Sequence, residues 1–491
     1  MFIAAVLVPP FAQKWRRIPI TINVFFLFLF VALVFGRFSL QSPHISDDLH
    51  LLRTYTTDEL LSVWTGTWDP DGIENPGFRP FTTYFYHILH QLTLGSIVAQ
   101  RVILLALFSL LLTSLGWLCN YYWGISYRIT VLGGLIGLFH IANVSHYAWI
   151  TDGIYLISAL LLVVATGSLL QWLHSKKAIW LVVSGIAIMA SLLVREDSLV
   201  VIPLLFLALG VSYFTKRDLF PSAKQAIVIG ASSIVLVALL GLWWYWRNLA
   251  VPNAVPIRAS LSGLVWSVMQ TGLILGDETR LIIYWPWWLW ITYLWMICLG
   301  GLAAICVFLL DQKTRLQTGL WIVAVVIASM PGLTLSRTNL LLLPTIFFGY
   351  AVATVLLTFS KRSITAYVIS VGIALFALTA SVFGSYVLQR ERVSSSIDYL
   401  CGITEWLYGT YAHATIPEDR LDEVRSNLAR VGIHSLADRD RVIPALIAEA
   451  KSNRRYTPSA EGNAFIPRLR FLVSPNWRAW SCVGREGWVF P

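Results

Sequence analysis

The chain has 491 residues, 57% of them apolar and only 13% charged, with a mean hydropathy of +0.69, whereas ordinary globular chains run near 25% charged. The net charge of +10 is therefore no nucleic-acid footprint, and five cysteines without a CxxC or Cys/His spacing exclude a disulfide scaffold and a zinc module. The shortage of charge is local: residues 1–389 carry 22 Lys+Arg and 14 Asp+Glu, while 390–491 carry 14 and 12. The reading is an all-α polytopic membrane domain over 1–388, including a long first outer loop at 41–96, followed by a small water-soluble domain at 389–491.

Met1–Val8 is apolar, but its basic cluster (Lys14, Arg16, Arg17) follows rather than precedes it. Residues 18–40 lack a small-residue cleavage site and read as a retained signal anchor. A crossing needs about 20 apolar helical residues. Runs of that kind stand at 18–40, 97–119, 129–149, 152–173, 179–194, 198–214, 225–249, 286–310, 318–335, 339–359 and 364–388, giving about eleven transmembrane helices. With the N-terminus inside, the cytoplasmic segments hold 13 Lys+Arg against Asp218 and Asp311, and the outer segments before 390 hold nine Arg, no Lys and twelve acids. All seven lysines of the membrane part thus fall on one side, as the positive-inside rule expects. An odd number of crossings puts the tail outside.

In the first outer loop, Ser46-Asp47-Asp48 opens an amphipathic stretch whose apolar members run from Leu49 to Trp64. It reads either as a helix N-cap with two acids complementing the dipole or as a carboxylate held at the membrane surface as a general base or metal ligand. Single charges mark the other outer loops: Asp152, Arg195-Glu196-Asp197, Arg247, Arg258, Asp277-Glu278, Arg280 and Arg337. Arginine alone on that side suits bidentate binding of phosphate or carboxylate, or pairing with the loop acids. Trp243 to Trp246 and Trp285 to Trp290 fit an aromatic belt or a lipid groove. His140 and His146 fit packed histidines or metal ligands. In the tail, Pro417, Glu418-Asp419 and Gly432 bound a helix, and Cys401 and Cys482 are its only thiols, an expected disulfide.

These residues resemble the GT-C superfamily of polyprenyl-phosphate-sugar-dependent glycosyltransferases. An inside helix followed by a long outer loop with an acidic pair is that family's opening pattern. Phe78-Arg79-Pro80-Phe81-Thr82-Thr83, ending at Leu94-Gly95, is similar to its "YRPLT…G" segment. His140 with Trp149-Ile150 is similar to "HP…TE.V.WI" of the protein O-mannosyltransferase-like branch, although Ile141 replaces the Pro and Val144-Ser145 the Thr-Glu, leaving Asp152 as the substitute acid. Arg195-Glu196 with Pro203 resembles "SKE…P", and Arg337 with Pro344 resembles "RY…P" of the aminoarabinose-transferase-like branch. The resemblance covers about 45–345 and no repeat array follows it.

The resemblance implies an inverting hexosyl- or pentosyltransferase in a bacterial plasma (inner) membrane. Its donor would be a polyprenyl-phosphate-linked sugar and its acceptor a hydroxyl on a protein, lipid or glycan. Asp47 would be the base, with Asp48 supporting it or binding a divalent metal ion. Arg79, Arg195 and Arg337 would hold the donor phosphate, with His140, Asp152 and Glu196 in support. Two other readings are a non-catalytic assembly partner of the same fold and a lipid-linked glycan transporter or flippase.

Overall fold

A computed structural model describes residues 17–37, 39–41, 51–70, 77–215, 223–252, 260–272, 288–333 and 338–413. Among them every regular element is a helix. In chain order these are α1 (Arg17–Phe35), α2 (Thr57–Ser62), α3 (Pro80–Thr93), α4 (Ile97–Trp123), α5 (Tyr127–Phe139), α6 (Ser145–Ala148), α7 (Gly153–Ser175), α8 (Ile179–Val194), α9 (Val201–Thr215), α10 (Ala223–Ala250), α11 (Leu261–Gly272), α12 (Trp288–Ala304), α13 (Gln312–Ala328), α14 (Leu342–Phe359) and α15 (Ile364–His413). Each of the eleven apolar runs contains at least one helix, and the run at 129–149 contains two. Five described helices are long and apolar enough to cross a bilayer, or six if the bent pair Tyr127–Phe139 and Ile141–Ala148 is one span.

Because lipid offers no hydrogen bonds, a break inside an apolar run must satisfy its own backbone. The 66° bend at His140 does so. His140 Nδ1 accepts from the Ala142 N–H at 3.2 Å, and Asn143 Nδ2 donates to the Gly137 carbonyl at 2.6 Å and to Thr345 Oγ1 at 2.8 Å. The last bond ties the bend to α14, which is buried along most of its length. α5 and α14 cross at two glycines: a Cβ on Gly349 would lie 2.2 Å from the Gly133 carbonyl oxygen. Small residues allow such close approach where apolar solvent supplies no hydrophobic drive. α4 is the hub, with Leu104, Leu105, Phe108, Leu111 and Leu112 all at most 1% exposed.

The amphipathic stretch from Leu49 does not continue as one helix. Its first residues, Leu49 and His50, lie outside the described set; Leu52 to Thr56 break the helix, and α2 starts afresh from Thr56. Two local interactions favour the break. Thr56 and Glu59 form a reciprocal capping box, and the Tyr55 N–H donates to His87 Nδ1 at 3.0 Å, which a continuous helix would forbid. α3 follows with Pro80 at its first position, where the missing N–H costs nothing. It buries Thr82, Thr83, Tyr86 and Leu89 while Ile88 and Leu92 face outward, the pattern of a helix lying along a membrane surface. The tail's Pro417 helix and the Cys401–Cys482 pairing lie outside the described side chains.

Candidate anion-binding site

α8 ends where Arg195 turns extended (φ −151°, ψ 131°), and a 3-10 helix over Glu196–Val200 leads into α9. Consecutive residues of such a turn point about 120° apart, so the tripeptide sends its three charges in different directions. Arg195 lies 3.7 Å above the Tyr155 ring and forms a two-pronged bond with Asp197: Nε to Oδ1 at 2.8 Å and Nη2 to Oδ2 at 3.1 Å. Glu196 reaches the other way. Its Oε1 accepts from the Phe78 N–H at 2.7 Å and its Oε2 pairs with Arg247 Nη2, from the end of α10, at 3.0 Å. The same two regions are joined again by Trp246, whose Nε1 donates to the Trp64 carbonyl at 2.9 Å.

Arg79 completes the group from the N-terminus of α3. Its neighbours on the sequence are fixed by three bonds: the Phe78 bond to Glu196, Thr82 Oγ1 donating to the Val194 carbonyl at 2.6 Å, and Thr83 Oγ1 donating to the Trp68 carbonyl. The guanidinium lies 5.7 Å from the centre of the Trp68 ring, and its Nε is buried without a hydrogen-bond partner. Gly77 makes room for it, because a Cβ there would stand 3.2 Å from Arg79 Nε and 3.4 Å from Glu196 Oε1.

Electrostatically the arginines are unequal. Burial, assisted by the Arg195 charge, holds Arg79 below its ordinary range despite Glu196 and Asp197. Burial also opposes the Arg195 charge, but Asp197, Tyr155 and Asp152 together more than offset it and hold that guanidinium above its usual range. Burial would raise Asp197, yet Arg195 overcomes it and keeps the carboxyl below the usual aspartate range. Asp152, buried at the start of α7, adds to the field at Arg195 and Tyr155. Arg195, Asp197 and Tyr155 line a cleft of about 410 Å³, open mouth included, together with Ser158, Ala328 and Leu343.

The structure thus brings together Arg79, Arg195, Glu196 and Asp152. His140 stands apart as the cap within the bend, next to Thr271. Asp47, Asp48 and Arg337 lie outside the described residues. Asp197 and Tyr155 are members that sequence reading assigned no role, and Arg247, there one of the outer arginines suited to anion binding or to pairing with loop acids, pairs with Glu196. The signal for Asp197 was its position two residues after Arg195; nothing local marks Tyr155. Among the described residues no three His, Cys, Asp or Glu side chains converge as metal ligands. Glu196 and Asp197 both pair with arginines.

Comparison with protein-family models, curated proteins and solved structures gives no match. What the described residues define is an all-helical assembly with helices able to span a membrane and a largely buried arginine–carboxylate cluster at their ends.

Proposed function

We propose that the protein is a membrane glycosyltransferase that moves a sugar from a polyprenyl-phosphate donor to an acceptor hydroxyl on the outer face. The observation that carries this reading is Arg79: a guanidinium whose Nε lies buried without a partner, beside a second arginine that a carboxylate holds in one plane. Such a pair suits an anionic phosphate, which two planar guanidinium forks bind with direction as well as charge. In the reaction the acceptor oxygen attacks the anomeric carbon and gives its proton to a base. The bond from that carbon to the phosphate oxygen breaks with inversion, and the lipid phosphate leaves as the anion. Arg79 and Arg195 oppose the charge that grows on the leaving group. Asp47 is the proposed base, Asp48 its support or a metal ligand, and Arg337 a further phosphate contact.

Topology supports the same side for all of these. α7, α13 and α14 each present one end to the Arg195 cleft, and Lys176, Lys313 and Lys361 follow or begin their opposite ends. With eleven crossings and a cytoplasmic N-terminus, the cluster and residues 389–491 are extracytoplasmic. The test is purified protein in vesicles given polyprenyl-phosphate sugars and simple hydroxyl acceptors. Release of polyprenyl phosphate that fails in Asp47→Asn, by about 10²–10⁴-fold, supports the reading. No release from any hexosyl or pentosyl donor, or an unaffected Asp47→Asn, overturns it.

A further inference from the structure

α3 carries more than Arg79. That arginine stands at its N-terminal end, and His87 follows eight residues later, about 12 Å along the axis. His87 Nδ1 accepts the Tyr55 N–H at 3.0 Å, the two rings standing 6.3 Å apart. His90, one turn on and on the same face, bonds the Leu52 backbone as a donor, since that bond favours its charged form. The segment between these two points is sealed. Tyr55 Oη donates to the Leu51 carbonyl at 2.8 Å, and Leu51, Leu52 and Tyr55 are each at most 4% exposed. Leu51 is four residues from Asp47, a reach of at most about 14 Å. One helix therefore places an arginine of the anion cluster at one end and, further along, holds the chain that leads from the proposed base.

The two histidine bonds respond differently to a proton. A donor to a carbonyl, as His90 is, works in either charge state. His87 Nδ1 accepts only while the ring is neutral, because both nitrogens of the cation are donors. A proton on His87 sets N–H against N–H and takes the acceptor from the Tyr55 amide. We infer that neutral His87 is a positioning residue for the acidic pair, and that its protonation releases the Leu51–Tyr55 segment from α3 and lowers sugar transfer in acid. This rests on Asp47 as the proposed base and adds the residue that holds its segment. The surrounding groups leave the proton uncompensated. Arg53 of the segment lies 4.2 Å above the Tyr55 ring and pairs at 2.7 Å with Glu59 of α2, next to Asp58. α3 itself adds His90, Tyr84 and Tyr86. Of the other helices packed on α3, α8 has no titratable residue, and the near end of α4 brings Arg101, buried on the Ser39 carbonyl. Among the described residues no carboxylate pairs with His87. The ring is partly exposed, so protons reach it.

The test follows hydrogen exchange of the Tyr55 amide in the full-length protein in nanodiscs between pH 8 and 5, the span over which histidine changes charge. Rates are corrected for the intrinsic pH dependence of exchange, with the buried α14 amides as the reference. Wild-type protection should fall at least tenfold toward pH 5. His87→Asn puts a carbonyl oxygen as many bonds from the backbone as Nδ1, and it accepts at every pH. Its protection should not change with pH, and His87→Leu should lack protection throughout. In vesicles given a polyprenyl-phosphate sugar, wild-type transfer should fall at least tenfold over the same span, and His87→Asn should abolish that fall. Constant protection in the wild type, or an equal acid loss of protection or of transfer in His87→Asn, would overturn the inference. Monodisperse elution checks the variants' folding, and the wild-type profile does not depend on them. Acid release of Tyr55 in a protein that transfers no sugar would end the proposed function and leave the anchor standing. Sugar transfer by a protein whose Tyr55 amide ignores pH would do the reverse.

Discussion

Arg79 and Glu196 have opposite tasks, and single substitutions separate them. Arg79 makes no ion pair among the described residues, so Arg79→Gln removes a charge that only the longer-range fields of Glu196 and Asp197 and the Trp68 ring favour. The protein should elute and unfold as the wild type does, while binding of lipid phosphate weakens about 10- to 100-fold. That corresponds to about 1.5–3 kcal/mol for a hydrogen bond to a charged group. Arg79→Lys should recover little, since an ammonium lacks the fork and the Nε edge; full recovery would mean that only charge matters. Glu196→Gln keeps an acceptor for the Phe78 N–H but takes from Arg247, whose side chain is 6% exposed, its paired charge, leaving it the Asn248 Oδ1 bond. The expected effect is a loss of about 3 kcal/mol of stability, read as a lower unfolding temperature in detergent. Asp197 sets the acid limit of the cluster. Because Arg195 holds its carboxyl below the usual range, the stability it contributes is complete above the unfolded pKa of about 3.9. It is lost only as pH falls through the lower folded value. Thermal stability should therefore show no pH dependence from this pair between about pH 5 and 8, and the Asp197→Asn variant should differ from wild type by a constant amount there.

The helices were legible because apolar length is a strong signal, and every run holds at least one helix. What stayed hidden was where runs break. Nothing in the apolar content of 127–148 requires a bend; His140 and Asn143 are the trace of it, polar groups whose use appears only once Gly137 and Thr345 are in place. Asn143→Leu removes both bonds and should reduce the yield of folded protein sharply, whereas Asn120→Leu, which gives up a single bond to the Ile125 carbonyl at a helix end, should cost less. The α5–α14 crossing makes a second contrast. Gly349→Ala sets a Cβ against the Gly133 backbone, an overpacking cost of about 1–3 kcal/mol or more. A Cβ on Gly185 meets nothing within 4 Å, so Gly185→Ala should be neutral or slightly stabilising. Equal stability of the two variants would remove the close crossing. The cluster was half legible for a similar reason: sequence order places Arg195, Glu196 and Asp197 together, but only packing decides which carboxylate takes which arginine.

Lysine placement links the parts into one orientation. Impermeant amine reagents applied to intact cells should miss Lys176, Lys313 and Lys361 and reach them after permeabilisation. Labelling from outside would put the arginine cluster on the cytoplasmic face and end the case for an outer lipid-phosphate reaction.

α15 is anchored and then continues. Ser39 Oγ donates to Gln389 Oε1 at 3.0 Å, and the helix runs on from there to His413, 24 residues or about 36 Å at 1.5 Å per residue. Beyond its anchor α15 is a mast with a fixed pitch: it sets both the distance and the compass bearing at which the chain's last 78 residues begin. Removing seven residues from 391–412 would shorten it by about 10 Å and turn that terminal segment by only about 20°, since each residue advances about 100°. Removing five would shorten it less, by about 7.5 Å, yet swing the same segment by about 140°. If bearing matters more than reach, the smaller deletion does the greater damage, and assaying the two side by side would tell a mast from a tether.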